Sequence, residues 1–263
     1  MIKSTSNNKV KKVSALQKKA RFRKEEGLFV AEGIKMCKEI PKNLLQEVYI
    51  SEDFYEKNKK EIEDIVGKDF ELTDEKVFEY MSDTVTPQGI LCVVKNPTYS
   101  LDEITNKVRN DKKESHRIVI LEDLRDPGNL GTIIRTGEAA GVSAVIMTKE
   151  SADIFNPKVV RSTMGSIFRV PFVYTDDLEN CVKELKNCDF KLYAAGLDGK
   201  SFLGESEISK NAAFLIGNEA KGLKEDTYAL ADEILKIPME GSVESLNAAV
   251  SAAVLIYYHK LAK

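Results

Sequence analysis

The chain of 263 residues has few of the side chains from which metal sites and catalytic triads are built. Only two histidines are present, His116 and His259, which argues against a His-based triad and against multi-histidine metal sites. One lies in a charged stretch and the other near the chain end, so both are predicted to be solvated surface groups. The four cysteines lack the paired spacing of a metal site or a small disulfide scaffold. We therefore expect no metal and a reducing compartment.

Long apolar runs are also missing. No stretch approaches the roughly 20 apolar residues that a membrane span needs. Residues 1–8 are too polar for a secretory signal. With 43% hydrophobic and 31% charged residues, the composition favours a cytoplasmic protein with a sizeable core and no membrane partner.

Acidic residues are absent from the first 24 positions, which nevertheless hold nine of the 39 cations. The cations are Lys3, Lys9, Lys11, Lys12, Lys18, Lys19, Arg21, Arg23 and Lys24. All 42 acids follow later in the chain, so the net charge of −3 hides a basic arm, residues 1–24, on an acidic body. Such an arm is typical of a protein that binds a polyanion such as RNA. A solvated helix face is the alternative.

Alternating short strands and helices divide the rest of the chain. Up to Lys95 they predict a compact α/β domain over residues 25–97, which ends at the break Asn96-Pro97. A polar linker over 98–116 follows, with a helix at 100–109 that fits either side. Strands and helices alternate again over 117–263, which predicts an α/β domain with a mostly parallel sheet covered on both faces.

Three glycine-bearing turns after apolar strands carry polar side chains. In the first, Asn129 follows the turn residues Asp126-Pro127 and is predicted to be the N-cap of a helix. Arg135 lies on the same helix face as Gly131, where the glycine leaves room for the guanidinium. Alternatively, Arg135 pairs with Glu138 in a surface salt bridge.

The second turn, 217–222, holds Glu219, which could accept a hydrogen bond from a substrate hydroxyl or satisfy a helix dipole. The third turn brings Ser245 and Asn247 to the start of a helix predicted over 245–261. This helix is apolar on nearly all sides, so we expect it and Asn247 to be buried, with Asn247 hydrogen-bonded. Ser245 is equally suited to be a plain N-cap, and the small residues could pack in a homodimer.

Taken in order, these residues resemble the three signature motifs of the SpoU/TrmH family of S-adenosylmethionine-dependent RNA ribose 2′-O-methyltransferases, within the SPOUT superfamily. The matching residues are Asn129, Gly131 and Arg135; Gly217, Glu219 and Gly222; and 237–239, Gly241, Ser245, Leu246 and Asn247. Residues 156–171 resemble the family's R-x-S-x-G stretch, and 29–33 with 86–89 resemble its small ribosomal-protein-like substrate-binding domain. One departure is Ala248-Ala249, where the family pattern has a Val-Ser pair.

The resemblance implies a trefoil-knotted SPOUT catalytic domain, a homodimer and methylation of 23S ribosomal RNA. It also implies S-adenosylmethionine as cofactor, held by Gly217, Ile237 and Leu246. The implied catalytic residues are Arg135, Asn129, Glu219, Ser245 and Asn247. Two other functions remain open, a transfer-RNA ribose methyltransferase and a non-catalytic RNA-binding assembly or resistance factor. The dinucleotide fingerprint G-x-G-x-x-G is absent, which argues against a Rossmann oxidoreductase.

Overall fold

A computed structural model describes residues 1–67, 69–197, 199, 201–204 and 207–261. The chain forms two compact units, one of Met1–Pro97 with Asp153–Phe168 and one of Thr98–Ala152 with Arg169–Lys263. This division differs from the predicted domains, because 153–168 leave the catalytic half of the chain to join the first unit.

The first unit is built on a four-stranded mixed sheet. Numbered along the whole chain, its strands are β1 (Leu28–Glu32), β2 (Leu45–Ser51), β3 (Glu71–Thr73) and β4 (Ile90–Lys95). Its helices are α1 (Asn8–Lys18), α2 (Ala20–Glu26), α3 (Ile34–Lys38), α4 (Glu52–Val66), α5 (Glu75–Met81) and α8 (Pro157–Thr163), with a 3-10 helix at Ser166–Phe168. The strand order is β1-β4-β2-β3, and only the described pair β2–β3 is parallel. Apart from its terminal Lys95, β4 is buried throughout, as its continuous apolar sequence predicts.

The basic segment 1–24 is part of this unit rather than a separate arm. Val10, Val13 and Leu16 on α1 are fully buried, because their helical spacing puts them on one face against α5 and the sheet. Several cations of this segment also form ion pairs with acids of the same unit. Lys12 pairs with Glu47 at 3.1 Å, for example.

Residues 153–168 contact the rest of the first unit through ion pairs and aromatic rings. The buried Arg23 guanidinium donates to Asp153 at 2.6 Å, and Arg161 of α8 pairs with Asp83 at 2.9 Å. The rings of Phe29 and Phe155 lie 5.0 Å apart. These long-range contacts could not be inferred from the strand–helix alternation that set the predicted boundary.

The second unit is a seven-stranded sheet whose described strand pairs are all parallel, which confirms the predicted architecture. Its strands are β5 (His116–Leu121), β6 (Ala144–Thr148), β7 (Phe172–Thr175), β8 (Lys191–Ala195), β9 (Ser201–Phe202), β10 (Asn211–Ile216) and β11 (Glu233–Lys236). Its helices are α6 (Leu101–Asn110), α7 (Pro127–Ala140), α9 (Leu178–Lys186), α10 (Glu225–Leu230) and α11 (Ala248–Leu261). The order is β7-β6-β5-β10-β8-β11-β9. The trefoil knot implied by the resemblance stays a prediction.

Helices α6 and α9 contribute to one core cluster with the sheet. Ile104 and Val108 of α6 are buried in it, so much of the predicted linker is a packed helix of this unit. Helices α7 and α11 form a second pair, in which α11 packs against α7 and also against β10. Within the described residues, no helix is both long and apolar enough to cross a membrane.

The prediction that both histidines are solvated is wrong. His116 and His259 are each only 5% exposed. The Nδ1 atom of His116 lies 3.2 Å from the Ser143 hydroxyl, and Nε2 of His259 lies 2.8 Å from the Ser209 carbonyl oxygen. Burial lowers the pKa of both imidazoles, which favours their neutral form. Both histidines therefore have a structural role, His116 at the start of β5 and His259 on α11.

Candidate functional site

The motif turns lie at the carboxyl ends of β5, β10 and β11. The chain changes direction across the sheet between its two central strands, β5 and β10. Strands β5, β6 and β7 follow one another toward one edge, while β10, β8 and β11 lie toward the other edge. A topological switch point of this kind leaves a crevice at the carboxyl ends of the strands, where open α/β sheets bind ligands. The fold therefore puts the polar turns where a ligand site is expected.

Asp126 rather than Asn129 caps α7, which corrects the predicted cap. The Asp126 carboxylate accepts a hydrogen bond from the backbone N–H of Asn129 at 2.8 Å, and Pro127 opens the helix. Because the cap is made three residues earlier, the Asn129 side chain is available for contacts outside its own helix.

Glu219 is the acceptor that joins the first turn to the second. Its carboxylate accepts from the backbone N–H of Asp126 at 2.8 Å and of Arg125 at 3.1 Å. The side-chain amides of Asn129, at 3.1 Å, and Asn218, at 3.4 Å, donate to the same carboxylate. Glu219 thus holds together the loop before α7 and the loop after β10.

The hydrogen bonds keep Glu219 ionised. Partial burial is the largest single influence and by itself would raise its pKa, but the donated hydrogen bonds together outweigh it. The Glu219 pKa consequently lies below its ordinary value. An ionised carboxylate whose two oxygens already accept hydrogen bonds is a poor proton acceptor, so its geometry fits an anchor better than a general base.

Asn247 connects the third turn to the first. Its side-chain amide donates to Oδ1 of Asn129 at 2.9 Å, while its own Oδ1 accepts from the backbone N–H of Ala249 at 2.9 Å. Asn247 therefore caps α11, which begins at Ala248 and not at the predicted Ser245. The residue is exposed, so the prediction that it is buried is wrong, although it is hydrogen-bonded as expected.

The loop 217–222 closes on itself without room for a side chain at its first residue. Asn218 and Gly222 exchange backbone hydrogen bonds of 3.0 and 2.9 Å. A Cβ atom on Gly217 would lie 2.2 Å from the carbonyl carbon of Gly222, far inside contact distance. Only glycine fits there, and its bare backbone faces the cavity described below.

Asp123, which the motif matches did not include, supports this loop from the end of β5. Its carbonyl oxygen accepts from the Asn218 amide at 2.8 Å, and its carboxylate accepts from the Thr148 hydroxyl at 2.8 Å. Asp123 adopts φ = 52°, a left-handed conformation uncommon for a residue other than glycine. Positive φ cannot be inferred from an acid at a strand end.

The buried Glu122 is a second support that the sequence motifs did not reveal. One carboxylate oxygen accepts from the Thr227 hydroxyl at 2.6 Å and the other from the backbone N–H of Lys224 at 2.8 Å. The Lys224 ammonium in turn pairs with Asp123 at 2.8 Å. The segment that follows loop 217–222 is thereby tied to the end of β5.

A cavity of about 410 Å³ is bordered by the second and third turns and by the end of β8. The predicted cofactor residues Gly217, Ile237 and Leu246 all line it, as does Ser245. Gly196 at the end of β8 lines it too, and a Cβ there would lie 2.7 Å from Ile234. The volume lies within the range of roughly 300–1,000 Å³ found for small-molecule pockets.

Arg135 is the one predicted catalytic residue outside this constellation. It is exposed on α7, does not line the cavity and makes no hydrogen bond or ion pair among the described residues. The alternative pairing with Glu138 is not formed, and Glu138 accepts hydrogen bonds from Arg169. The cation of Arg135 is thus left to solvent or to a ligand.

No group of three or more His, Cys, Asp or Glu side chains in the described ranges is arranged to hold a metal ion. All four cysteines are buried and free. The site consequently consists of amide, carboxylate, hydroxyl and backbone groups.

Two family models match the chain, and together they span most of it. Residues 116–257 match the SpoU rRNA Methylase family. Residues 7–92 match the MRM3-like substrate binding domain. The second match falls within the first structural unit, so both halves of the resemblance drawn from the sequence are confirmed.

Relatives and solved structures resemble the chain over nearly its whole length. A Bacillus subtilis (strain 168) protein named 23S rRNA (guanosine(2553)-2′-O)-methyltransferase RlmP is 32% identical over 98% of each chain. The crystal structure of an rRNA methyltransferase from Sinorhizobium meliloti is 28% identical, covers 98% of this chain and 96% of that one, and has a TM-score of 0.82. A structure of an AdoMet-bound rRNA methyltransferase from the same organism has the same identity and coverage and a TM-score of 0.81. With its motif turns joined at the sheet's switch point, the chain belongs to the SpoU rRNA methylase family and is an RNA 2′-O-ribose methyltransferase of the SPOUT fold.

Proposed function

We propose that the protein transfers a methyl group from S-adenosylmethionine to a ribose 2′-hydroxyl of 23S ribosomal RNA in the cytoplasm. The observation that carries this proposal is the hydrogen-bonded series Glu219–Asn129–Asn247, which joins all three motif turns. The full-length likeness to the Bacillus subtilis protein supports the choice of 23S rRNA and makes a guanosine the first nucleotide type to map.

The cavity residues fit S-adenosylmethionine. Gly217 leaves backbone groups bare at the cavity wall, and an adenine edge is bound well by backbone N–H and C=O groups. Ile237 and Leu246 supply apolar surface for the adenine faces, and Ser245 supplies a hydroxyl at the rim. The AdoMet-bound Sinorhizobium meliloti structure is an independent support for this cofactor.

When bound, the sulfonium of the cofactor supplies the methyl group for an in-line displacement with a neutral leaving group. The protein's task is to orient the ribose 2′-hydroxyl and to stabilise the negative charge that develops on its oxygen as the hydroxyl proton passes to solvent water. Arg135 is suited to this as a cation that clamps the neighbouring phosphate and the emerging alkoxide. A guanidinium keeps its proton throughout the physiological pH range and is therefore unsuited to act as a base.

Asn129, Glu219 and Asn247 act as positioning residues in this scheme, with Ser245 beside them. Glu219 fixes the amide plane of Asn129 by accepting from its nitrogen, and Asn247 fixes it further by donating to its oxygen. The result is a preorganised set of loops that holds cofactor and substrate in a defined geometry.

We further propose that the protein is a homodimer formed through α11. Val250 and Tyr257, seven residues apart on one face of this helix, are 47% and 37% exposed, and Leu261 beyond them is 71% exposed. An apolar strip on a helix is typical of a protein–protein contact. A second copy covering it would also bring a second Arg135 into the assembly, which fits the absence of a partner for Arg135 among the described residues of one chain.

The experiment is the transfer of a radiolabelled methyl group from S-adenosylmethionine to fractionated cellular RNA, with Asn247→Ala as the control. We expect label in 23S rRNA that is lost in the variant. If label appeared only in transfer RNA, the substrate would be transfer RNA and not 23S rRNA. If no fraction were labelled, ribosome precursors included, the protein would be an RNA-binding assembly factor and not an enzyme.

A further inference from the structure

We propose that the first unit holds single-stranded RNA on a basic and aromatic patch centred on Tyr80, with Lys18 and Lys76 on either side. A base stacks on the tyrosine ring while the two ammonium groups contact flanking phosphates. The proposal rests on the proposed function, since it assigns a surface of the first unit to the RNA that carries the methylated ribose.

The charge of the basic segment points to this surface. Of its nine cations, Lys9, Lys12, Arg21 and Arg23 are each paired with an acid inside the first unit. The cations that form no ion pair among the described residues are Lys3, Lys11, Lys18, Lys19 and Lys24. Lys11 and Lys18 are exposed and lie seven residues apart on one face of α1, about 10 Å along its axis.

Tyr80 lies where this row of cations meets α5. The Lys18 ammonium is 5.0 Å from the centre of the Tyr80 ring, within cation–π distance. Tyr80 is 44% exposed, so its side chain is open to solvent. Lys76, four residues earlier on α5 and exposed, shares the helix face of Tyr80. The adjacent acid, Glu79, borders a different cavity with Phe54 and Gln88.

A buried carboxylate fixes both elements that carry the patch. Glu32 is 8% exposed and accepts from the Gln17 amide at 3.4 Å, next to Lys18. It also accepts from the Ser82 hydroxyl, and from the Thr84 hydroxyl at 2.7 Å, just after Tyr80. Burying a carboxylate is costly unless it is fully hydrogen-bonded. The hydrogen bonds of Glu32 therefore hold α1 and the end of α5 in fixed positions relative to each other.

The chemistry of the patch matches single-stranded nucleic acid. Such ligands are bound by aromatic rings on which bases stack, next to cations that follow the phosphate backbone. In a duplex the base faces are occupied by their neighbours. The ligand is therefore an unpaired segment of the RNA that carries the methylated ribose.

The chain offers a direct test because it contains no tryptophan. In Tyr80→Trp the indole is the single such fluorophore, and stacking of single-stranded oligoadenylate should quench it. Its matched control is Tyr55→Trp in the same unit, where the Lys59 ammonium lies 5.4 Å from the Tyr55 ring. This tyrosine and lysine lie on the acid-rich α4, and Lys59 is paired with Glu56. We expect quenching at residue 80 and none at residue 55. Equal responses, or quenching by duplex RNA as strong as by oligoadenylate, would overturn the stacking assignment.

Binding of a 23S rRNA transcript supplies the second readout. Tyr80→Ala should weaken it about tenfold, the lower range for loss of one stacked base, while Tyr80→Phe should retain it. Lys18→Ala should reduce the salt dependence of binding, lowering the slope of log K against log salt by about 0.7. Tyr55→Ala and Lys59→Ala are the controls, and thermal unfolding checks that each variant is folded.

The outcomes separate this surface from the proposed function. If the wild type methylates 23S rRNA and the Tyr80 and Lys18 variants bind RNA as the controls do, the patch is wrong and the enzyme assignment stands. If Tyr80 variants lose RNA binding but the wild type transfers no methyl group, the patch stands and the reaction must be replaced.

Discussion

Two asparagines connect turns that are far apart in the chain. Asn129 donates to Glu219 and accepts from Asn247, across sequence separations of 90 and 118 residues. Because each asparagine side chain has both a donor and an acceptor, a single amide can bridge two partners of opposite polarity. The sequence identified all three residues as site candidates. It could not indicate that Asp126 would take over the helix cap and leave Asn129 to bridge.

Replacing Glu219 by glutamine should loosen the junction. A carboxamide keeps one acceptor oxygen and puts an NH₂ against backbone donors, so we expect about 1 kcal/mol lower stability and at least tenfold weaker S-adenosylmethionine binding. The Glu219 pKa is lowered in the folded state, so its contribution is fully present above the ordinary pKa of the carboxyl in the unfolded chain. That contribution is lost as the pH falls through the folded pKa.

Denaturant unfolding from pH 7 to pH 3 and cofactor titration at pH 7 measure these effects, with the exposed Glu114→Gln as control. A stability difference that persisted undiminished at the acid end would contradict the linkage.

Two substitutions of Asn247 should separate its capping role from its bridging role. Asn247→Asp keeps an oxygen for the N–H of Ala249 but has no donor for Asn129. We expect the unfolding temperature to be kept and methyl transfer to fall, whereas Asn247→Ala should also lose about 1 kcal/mol of stability as the cap is removed. Differential scanning calorimetry and the methyl-transfer assay make the comparison. Full activity in Asn247→Asp would show that the bridge is dispensable.

At the scale of elements, hydrophobic spacing predicted most helices and strands, and the errors lie at their ends. Helix α11 begins three residues later than predicted because Asn247 rather than Ser245 satisfies its first N–H groups. The predicted burial of α11 on nearly all sides is also wrong, since Val250 and Tyr257 are exposed in the single chain. An all-apolar helix indicates a surface that must be covered, but its sequence does not distinguish a core from a subunit contact.

The loop after β10 gives a test at this scale. In Gly217→Ala the new methyl group would overlap the backbone of Gly222, so the loop must open and cofactor binding should be lost. Gly222→Ala is the matched control, because it has free space around its Cβ but φ = 69°. We expect it to cost about 1 kcal/mol through backbone strain and to keep most of the affinity. Isothermal titration with S-adenosylmethionine and thermal unfolding check both, and equal affinity in the two variants would rule out the close-packed loop as the cause.

At the scale of the whole molecule, the first unit is assembled from two separate stretches of chain. The insertion of 153–168 depends on the buried Arg23, whose guanidinium also donates to the carbonyl oxygens of Leu16 and Gln17. A cation that looked like part of an RNA-binding arm is thus a structural residue. Charge counting along a sequence cannot separate the two, because an ion pair formed across 130 residues leaves no local pattern.

The proposed dimer is tested by charging the exposed face of α11. We expect the double variant Val250→Lys, Tyr257→Lys to sediment as a monomer and to lose methyl transfer while unfolding cooperatively, since lysines in an apolar contact cannot be desolvated cheaply. The control is Val85→Lys, a fully exposed apolar position in the first unit. Sedimentation velocity gives the answer. A wild-type monomer, or a variant that still dimerises, would contradict the assignment of this face.

The sequence by itself determined the alternation of strands and helices, the parallel sheet of the second unit and the chemical types in the motif turns. These features depend on the spacing of apolar residues over a few positions and on which residues tolerate a turn. Both can be read from neighbouring positions in the sequence. The tertiary structure decided that Glu219 accepts hydrogen bonds from both the first and the second motif turn, that Asp123 and Glu122 support the loops, that both histidines are buried and that 153–168 join the first unit. Each of these depends on groups brought together across long stretches of chain, where burial and hydrogen-bond partners are set by the packing of the whole fold.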